Sequence, residues 1–95
     1  MVTVKHEKSS QQFVAVVEGK TAYLDYDILN NGALLDYHHT FVPPELRGRN
    51  IAQDIVKFAL EYAKQNHLHI KPSCPYVERY IEKHREYQSL IADEA

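Results

Sequence analysis

Residues 39–62 read H-T-F-V-P-P-E-L-R-G-R-N-I-A-Q-D-I-V-K-F-A-L-E-Y, and the order of physical character along them decides the fold. A β-prone run ends at Val42, Pro43-Pro44 stops it, Arg47-Gly48-Arg49-Asn50 makes a short basic turn, and a long amphipathic stretch follows. The first turn of a helix carries backbone N–H groups without intrahelical partners, and the helix dipole adds positive potential at the same end. Arg47 and Arg49 beside that end contribute charge in a fork geometry suited to phosphate. The stretch therefore predicts a strand, a turn and a helix whose start binds an anion, with a small phosphate-bearing ligand as the first expectation.

Downstream, Gln53, Asp54, Lys57, Glu61, Lys64 and Gln65 fall on one side of a helix over residues 51–65. Ile51, Ala52, Ile55, Val56, Phe58, Ala59, Tyr62 and Ala63 cover the rest, a stripe wide enough to lie on a sheet. Residues 68–71 read as a short strand closed by Pro72, which makes a strand, crossover helix and strand, most simply parallel and right-handed. Ser73-Cys74-Pro75 then opens a further helix with proline in its first turn. Val77, Tyr80, Ile81, Tyr87, Leu90 and Ile91 form its apolar side, with a break expected at 84–86 and a charged, fraying tail at the end.

Upstream, residues 33–42 alternate as a strand. Leu35, Tyr37, His39 and Phe41 are expected on one side and Leu34, Asp36, His38, Thr40 and Val42 on the other, so the adjacent histidines should diverge. Asn30-Asn31-Gly32 is a hairpin signal, since Asn and Gly tolerate the positive φ of a type I′ turn. It joins this strand to residues 21–29, where Ala22, Leu24, Tyr26 and Ile28 share a face. Gly19-Lys20 reads as a tight turn from residues 12–18, whose unbroken apolar run predicts a central strand covered on both faces. Residues 2–6 alternate as a first strand, and residues 8–11 form a polar connection. The reading is one α+β domain over residues 2–90, with an antiparallel meander of about four strands leading into one parallel crossover.

Composition narrows the function. A chain of 95 residues supports a single modest core, and a net charge of −2 gives no long-range attraction to nucleic acid, so a small ligand is expected and a nucleic-acid partner is not. The lone Cys74 has no internal disulfide partner, and the sequence contains neither an apolar h-region nor a run of the ~20 residues a membrane span needs. A cytoplasmic monomer or small homo-oligomer, with no membrane partner, is the expectation. No metal is expected: His38 and His39 diverge, and His67 and His69 lack a cysteine or carboxylate at ligand spacing. Neither the Gly-x-x-x-x-Gly-Lys-Ser/Thr phosphate loop nor Gly-x-Gly-x-x-Gly occurs.

What the central stretch does resemble is motif A of the GNAT superfamily of acetyl-coenzyme A-dependent N-acetyltransferases, Arg/Gln-x-x-Gly-x-Gly/Ala. Arg47, Gly48, Arg49, Asn50, Ile51 and Ala52 occupy its positions, after the strand Thr40-Phe41-Val42 and before the long helix. Asn50 departs from the motif, standing where the family has glycine; asparagine still reaches positive φ but adds a side chain near the expected pyrophosphate. Together with Pro72-Ser73-Cys74-Pro75-Tyr76, the run from Asn31 to Arg49 looks like the minimal single-domain branch, which lacks the helices most relatives insert between their first two strands.

The resemblance implies a minimal GNAT (acyl-CoA N-acyltransferase) fold with a splayed fifth strand and a C-terminal helix. It implies acetyl-coenzyme A and an amine acceptor as the partners. Phe41 and Val42 would line the pantetheine arm, residues Arg47, Gly48, Arg49, Asn50, Ile51 and Ala52 would hold the pyrophosphate, and Cys74 would lie near the thioester. Acetyl transfer needs a deprotonated amine, a stabilised oxyanion and support for the departing thiolate. Cys74, at a helix start, is a nucleophile, a general acid or an inert buried thiol. His39 is a base or a hydrogen-bonded strand residue, and Tyr76 a proton donor or a packing residue. A coenzyme A-binding or acyl-sensing module without turnover, and a protein-interaction domain, are the rival readings, because few residues remain to wall an acceptor pocket.

Overall fold

The computed structural model describes residues 2–91 of the chain. Strands β1 (Lys5–Glu7), β2 (Gln12–Val17), β3 (Lys20–Leu29) and β4 (Leu34–Phe41) form an antiparallel meander. Helix α1 (Ile51–Gln65) then crosses over to β5 (His69–Lys71), parallel to β4, and α2 (Pro75–Lys83) follows. The spatial order of the five strands equals their chain order. This is the expected α+β arrangement.

Both helices pack into one core. α1 contributes Ile51, Ile55, Val56, Ala59, Leu60 and Ala63 against Phe13, Ala15, Ala22, Leu24, Tyr26, Leu35, Tyr37 and Ile70 of the sheet. α2 adds Val77 and Ile81, and the 3-10 segment Arg85–Leu90 adds Tyr87 and Leu90, after a break at His84. The charged tail, residues 92–95, lies outside the described residues.

Because the helices share one side, β2 is not covered on both faces as its apolar run suggested. Phe13 and Ala15 are buried, whereas Val16 on the opposite side is 63% exposed. β1 is also shorter than the alternation of residues 2–6 implied. Val2 and Val4 tuck against the core without pairing, and the Val2 amide donates to Asp54 Oδ2 of α1 at 3.3 Å. Ile28 and Phe58, expected among the apolar cover, are 49% and 39% exposed at the margins of the helix–sheet contact.

The first hairpin turns one residue earlier than expected. Glu18 (φ 52°) and Gly19 (φ 76°) both take positive φ between the paired Val17 and Lys20, the signature of a type I′ turn. The second hairpin forms at the Asn-Asn-Gly signal, but as a 3-10 turn over Asn30–Gly32 between the paired Leu29 and Leu34.

The β3–β4 ladder contains the departure that matters most for the site. Tyr26 pairs with Tyr37 and Asp25 with His39, so His38 is an extra residue on β4, a β-bulge. A bulge resets the period-two alternation. Leu35 and Tyr37 are buried toward the helices; beyond the bulge, Thr40 stands opposite buried Leu24, while His39 and Phe41 stand opposite Asp25 and Tyr23. Tyr23 contacts the rings of His39 (6.0 Å) and Phe41 (5.5 Å), and His38 Nε2 lies 3.6 Å from Asp27 Oδ2. The expected divergence of the two histidines is thereby corrected: both lie on the sheet face away from the helices, and His39 and Phe41 do not share a side with Leu35 and Tyr37.

Candidate functional site

The site begins where β4 and β5 part. They pair only at Leu34–His69, Leu35–Ile70 and Asp36–Lys71. Pro72 then interrupts β5, having no N–H to donate, and the Ser73 amide turns back to the Lys71 carbonyl at 3.0 Å. The Cys74 amide makes the last link across, to the Tyr37 carbonyl at 2.9 Å. One residue further along β4 comes the His38 bulge, so β4 bends at the point where its neighbour ends.

The gap so formed is a groove of about 380 Å³, within the ~300–1,000 Å³ typical of small-molecule sites. Thr40, Phe41 and Val42 line it from the end of β4, Arg47, Gly48 and Asn50 from the basic turn, Ile51 and Ala52 from the start of α1, and Tyr76 from α2. Leu46, the buried residue of the 3-10 turn Pro44–Leu46, also lines it.

The start of α1 is built to leave donors free. Asn50 occupies the N-cap with φ 61° and ψ 21°, the left-handed conformation that the motif's glycine would take, and its side chain makes no capping bond. A missing cap costs about 1 kcal/mol. Ile51, Ile55, Val56 and Leu60 each bury a side chain worth roughly 1.5–3 kcal/mol, so packing secures the helix without one. Gly48, at φ 83°, supplies the second left-handed residue of the turn; a side chain there would meet nothing within 4 Å, so the requirement is backbone conformation and not space.

The two arginines separate. Arg47 lines the groove, with Nε donating to the Val42 carbonyl at 3.1 Å. Arg49 instead pairs with Glu18 at the tip of the β2–β3 hairpin. Lys20, on the other flank of that tip, lies 3.5 Å from Glu45, so two ion pairs clasp the hairpin to the loop before α1. Neither pair was visible in local sequence pattern, because each joins residues remote along the chain.

Cys74 is 6% exposed and stands behind the groove wall, its Sγ 3.5 Å from Thr40 Oγ1. Tyr76, in the first turn of α2, faces the groove directly. Burial pushes its hydroxyl above the usual tyrosine range, partly offset by hydrogen bonding to Gln53, so it is protonated and able to donate at neutral pH. His39 lies across the sheet from both and is not part of the groove lining.

Sequence alternation places Tyr37 only on one side of its strand, with Leu35, His39 and Phe41. Its hydroxyl donates to the Ala59 carbonyl at 2.7 Å, tying β4 to the middle of α1, and burial pushes its pKa far up, so this phenol stays protonated. Among the described residues, no group of three histidine, cysteine or acidic side chains is placed to hold a metal ion, and no helix is long and apolar enough to cross a membrane.

The sequence model of the GCN5-related N-acetyltransferases matches residues 12–90. Protein NATD1 of Gallus gallus is 30% identical over 84 residues, covering 86% of this chain and 76% of the relative. Protein NATD1 of Homo sapiens is 30% identical over the same length, covering 86% and 74%. In three dimensions the chain is similar to a GCN5-like protein from Staphylococcus aureus solved by NMR, with a TM-score of 0.74 at 24% identity, over 99% of this chain and 91% of that one.

Proposed function

This chain belongs to the GCN5-related N-acetyltransferase family, and on that premise we propose that it binds acetyl-coenzyme A in the β4–β5 groove and transfers the acetyl group to an amine. The observation that carries the reading is the coincidence of a strand gap with an uncapped helix start: an elongated acyl carrier needs a slot, and its pyrophosphate needs converging donors.

In this reading the amides of the first turn of α1, with the Arg47 guanidinium, hold the pyrophosphate. The strand end at Phe41 and Val42 offers backbone groups to the amides of the pantetheine arm, in the manner of an added strand. Acetyl-coenzyme A supplies an activated acyl group. The chain's residues orient it so that an amine lone pair forms the C–N bond as the C–S bond breaks; Tyr76 gives its proton to the departing sulfur, and the proton shed by the amine nitrogen restores the Tyr76 phenol through solvent, leaving an amide and a free thiol.

Cys74 assists this direct transfer by positioning Thr40 and is not acylated. The test is incubation with acetyl-coenzyme A without acceptor, followed by intact-mass analysis. No acetyl adduct should form, and Cys74→Ser should keep coenzyme affinity and most turnover with an amine panel. An acetylated Cys74, with severe loss in the serine variant, would replace direct attack by a two-step route.

A coenzyme A-binding module without turnover is the second reading. It is favoured by the position of His39, which leaves the groove without a histidine base. Calorimetric binding with no acceptor-dependent release of coenzyme A would select it. Absence of any coenzyme binding would remove both readings in favour of a protein-interaction role.

A further inference from the structure

Both helices lie on one side of the sheet, and the other side has no cover among the described residues. On β3, Ala22, Leu24 and Tyr26 point into the core, so Tyr23, Asp25, Asp27 and Leu29 point away from it. The strand register sets Val14 and Phe41 beside Tyr23, His39 beside Asp25, Asp36 beside Asp27, and Leu34 beside Leu29. This bare face is therefore apolar at both ends, where Val16 is 63%, Phe41 36% and Leu29 37% exposed, and acidic between them.

The acids lack matching charge. Asp27 and Asp36 stand directly opposite on neighbouring strands, an arrangement of like charges that destabilises a sheet. Asp25 accepts from the neutral Gln12 amide at 2.7 Å, His38 Nε2 stays 3.6 Å from Asp27 Oδ2, and Asp36 Oδ1 is buried without a hydrogen-bond partner. Lys71 neighbours Asp36 from β5 but makes no ion pair among the described residues. Lys20, the one lysine or arginine within β2, β3 and β4, alternates with Ala22 to the helix side and is held by Glu45. A face of this sign repels nucleic acid and anionic lipid, and a second copy docked on it would bring the same aspartates against themselves.

We infer that this face is the docking site for a basic amphipathic helix of a partner protein. Its lysine or arginine side chains meet Asp25, Asp27 and Asp36, and its apolar side chains cover Tyr23 and Phe41 at one end and Leu29 and Leu34 at the other. A helix is the form that fits, because an extended segment laid flat on a sheet would leave its own backbone N–H and C=O groups unpaired. From Tyr23 to Leu29 the strand rises roughly 20 Å, which about thirteen residues of helix span. The stripe that matches thus runs apolar, basic, apolar over about four turns. Docking here does not depend on what occupies the groove.

The experiment measures fluorescence anisotropy of a labelled, alanine-based helical peptide with leucines near both ends of one face and two lysines midway between them. One control peptide carries glutamate for lysine, another serine for leucine. The wild-type chain should bind the lysine peptide at least about tenfold more tightly than either control. Asp27→Asn/Asp36→Asn keeps the shape and removes the charge, so the preference for lysine over glutamate should vanish. Thermal melts verify that this variant folds and give a second readout: with the like-charge pair relieved, it should melt no lower than the wild type. Failure of the lysine peptide to bind, equal binding of a control, or a lysine preference surviving in the variant overturns the inference. A lower melting temperature in the variant also overturns it, by showing that the aspartates hold the fold and are not kept for a partner.

Discussion

Arg47 and Arg49 stand two positions apart in the same turn, yet the structure gives them different work, and single substitutions separate the two. Arg47→Ala removes a groove-lining guanidinium whose Nε–H is 3.1 Å from the Val42 carbonyl. That carbonyl is left to water, so stability changes little. A charge-assisted bond to a pyrophosphate oxygen is worth about 1.5–3 kcal/mol, which corresponds to roughly a 10- to 150-fold rise in the Kd for coenzyme A. Arg49→Ala removes an exposed ion pair with Glu18, which is worth about 0–1 kcal/mol of stability, and it takes no lining group from the groove. Its effect on Kd should stay below about threefold, the counterpart of roughly 0.6 kcal/mol. The assay is calorimetry of both variants at fixed ionic strength, with thermal melts alongside. Equal losses, or a larger loss at Arg49, would show that the Glu18 pair opens on binding and that the division of labour argued from the groove lining is wrong.

Asn50→Gly keeps the left-handed N-cap and removes the side chain, so coenzyme binding should be equal or tighter. The strain relieved at φ 61° roughly offsets the added freedom of the unfolded chain, so the melting temperature should stay within a few degrees by calorimetry. Tyr37→Phe deletes the 2.7 Å bond to the Ala59 carbonyl and should cost about 0.5–1.5 kcal/mol in urea unfolding; an unchanged midpoint would show that this bond does not hold α1 to the sheet. His6 stacks on Phe13 at 4.3 Å and meets the Tyr26 hydroxyl at 2.6 Å; burial, aided by Lys8 and opposed by Glu7, lowers its pKa below 6.5. The unfolded chain therefore binds the proton more readily, so stability is full above pH 6.5 and falls as the pH drops from there through the folded-state pKa. In His6→Gln, a melting series from pH 8 to 5 should lose this component, and an unaltered pH slope would assign it elsewhere.

Much of the architecture was legible because it is written in local chemistry. Helix α1 is bounded by an αL-tolerant residue before Ile51 and by the end of its apolar stripe, and β5 is stopped by Pro72. The lining role of Phe41, Val42, Arg47, Gly48, Asn50, Ile51 and Ala52 follows from strand, turn and helix occurring in that order. Alternation could not show the bulge at His38, because a pattern of period two carries no mark of the residue that interrupts it. His39 was accordingly assigned to the wrong side of the sheet. The pairing of Arg49 with Glu18 could not be read because the two are distant in sequence, and the apolar run of β2 overstated its burial because a β-rich composition does not say how many helical layers exist to cover it.

The groove has walls of unequal stiffness. One side is built on Tyr37, whose carbonyl holds the Cys74 amide before α2 and whose buried hydroxyl holds the middle of α1, so one residue of β4 ties both helices to the sheet. The other side, the loop at residues 43–50, is tethered across to the β2–β3 hairpin by exposed ion pairs of Lys20 and Arg49, which salt screens. The domain thus works as a vice with a fixed jaw and a compliant one. The compliant jaw carries the turn proposed to hold the pyrophosphate, so raising the ionic strength should slacken its tether as well as screen the charge it offers.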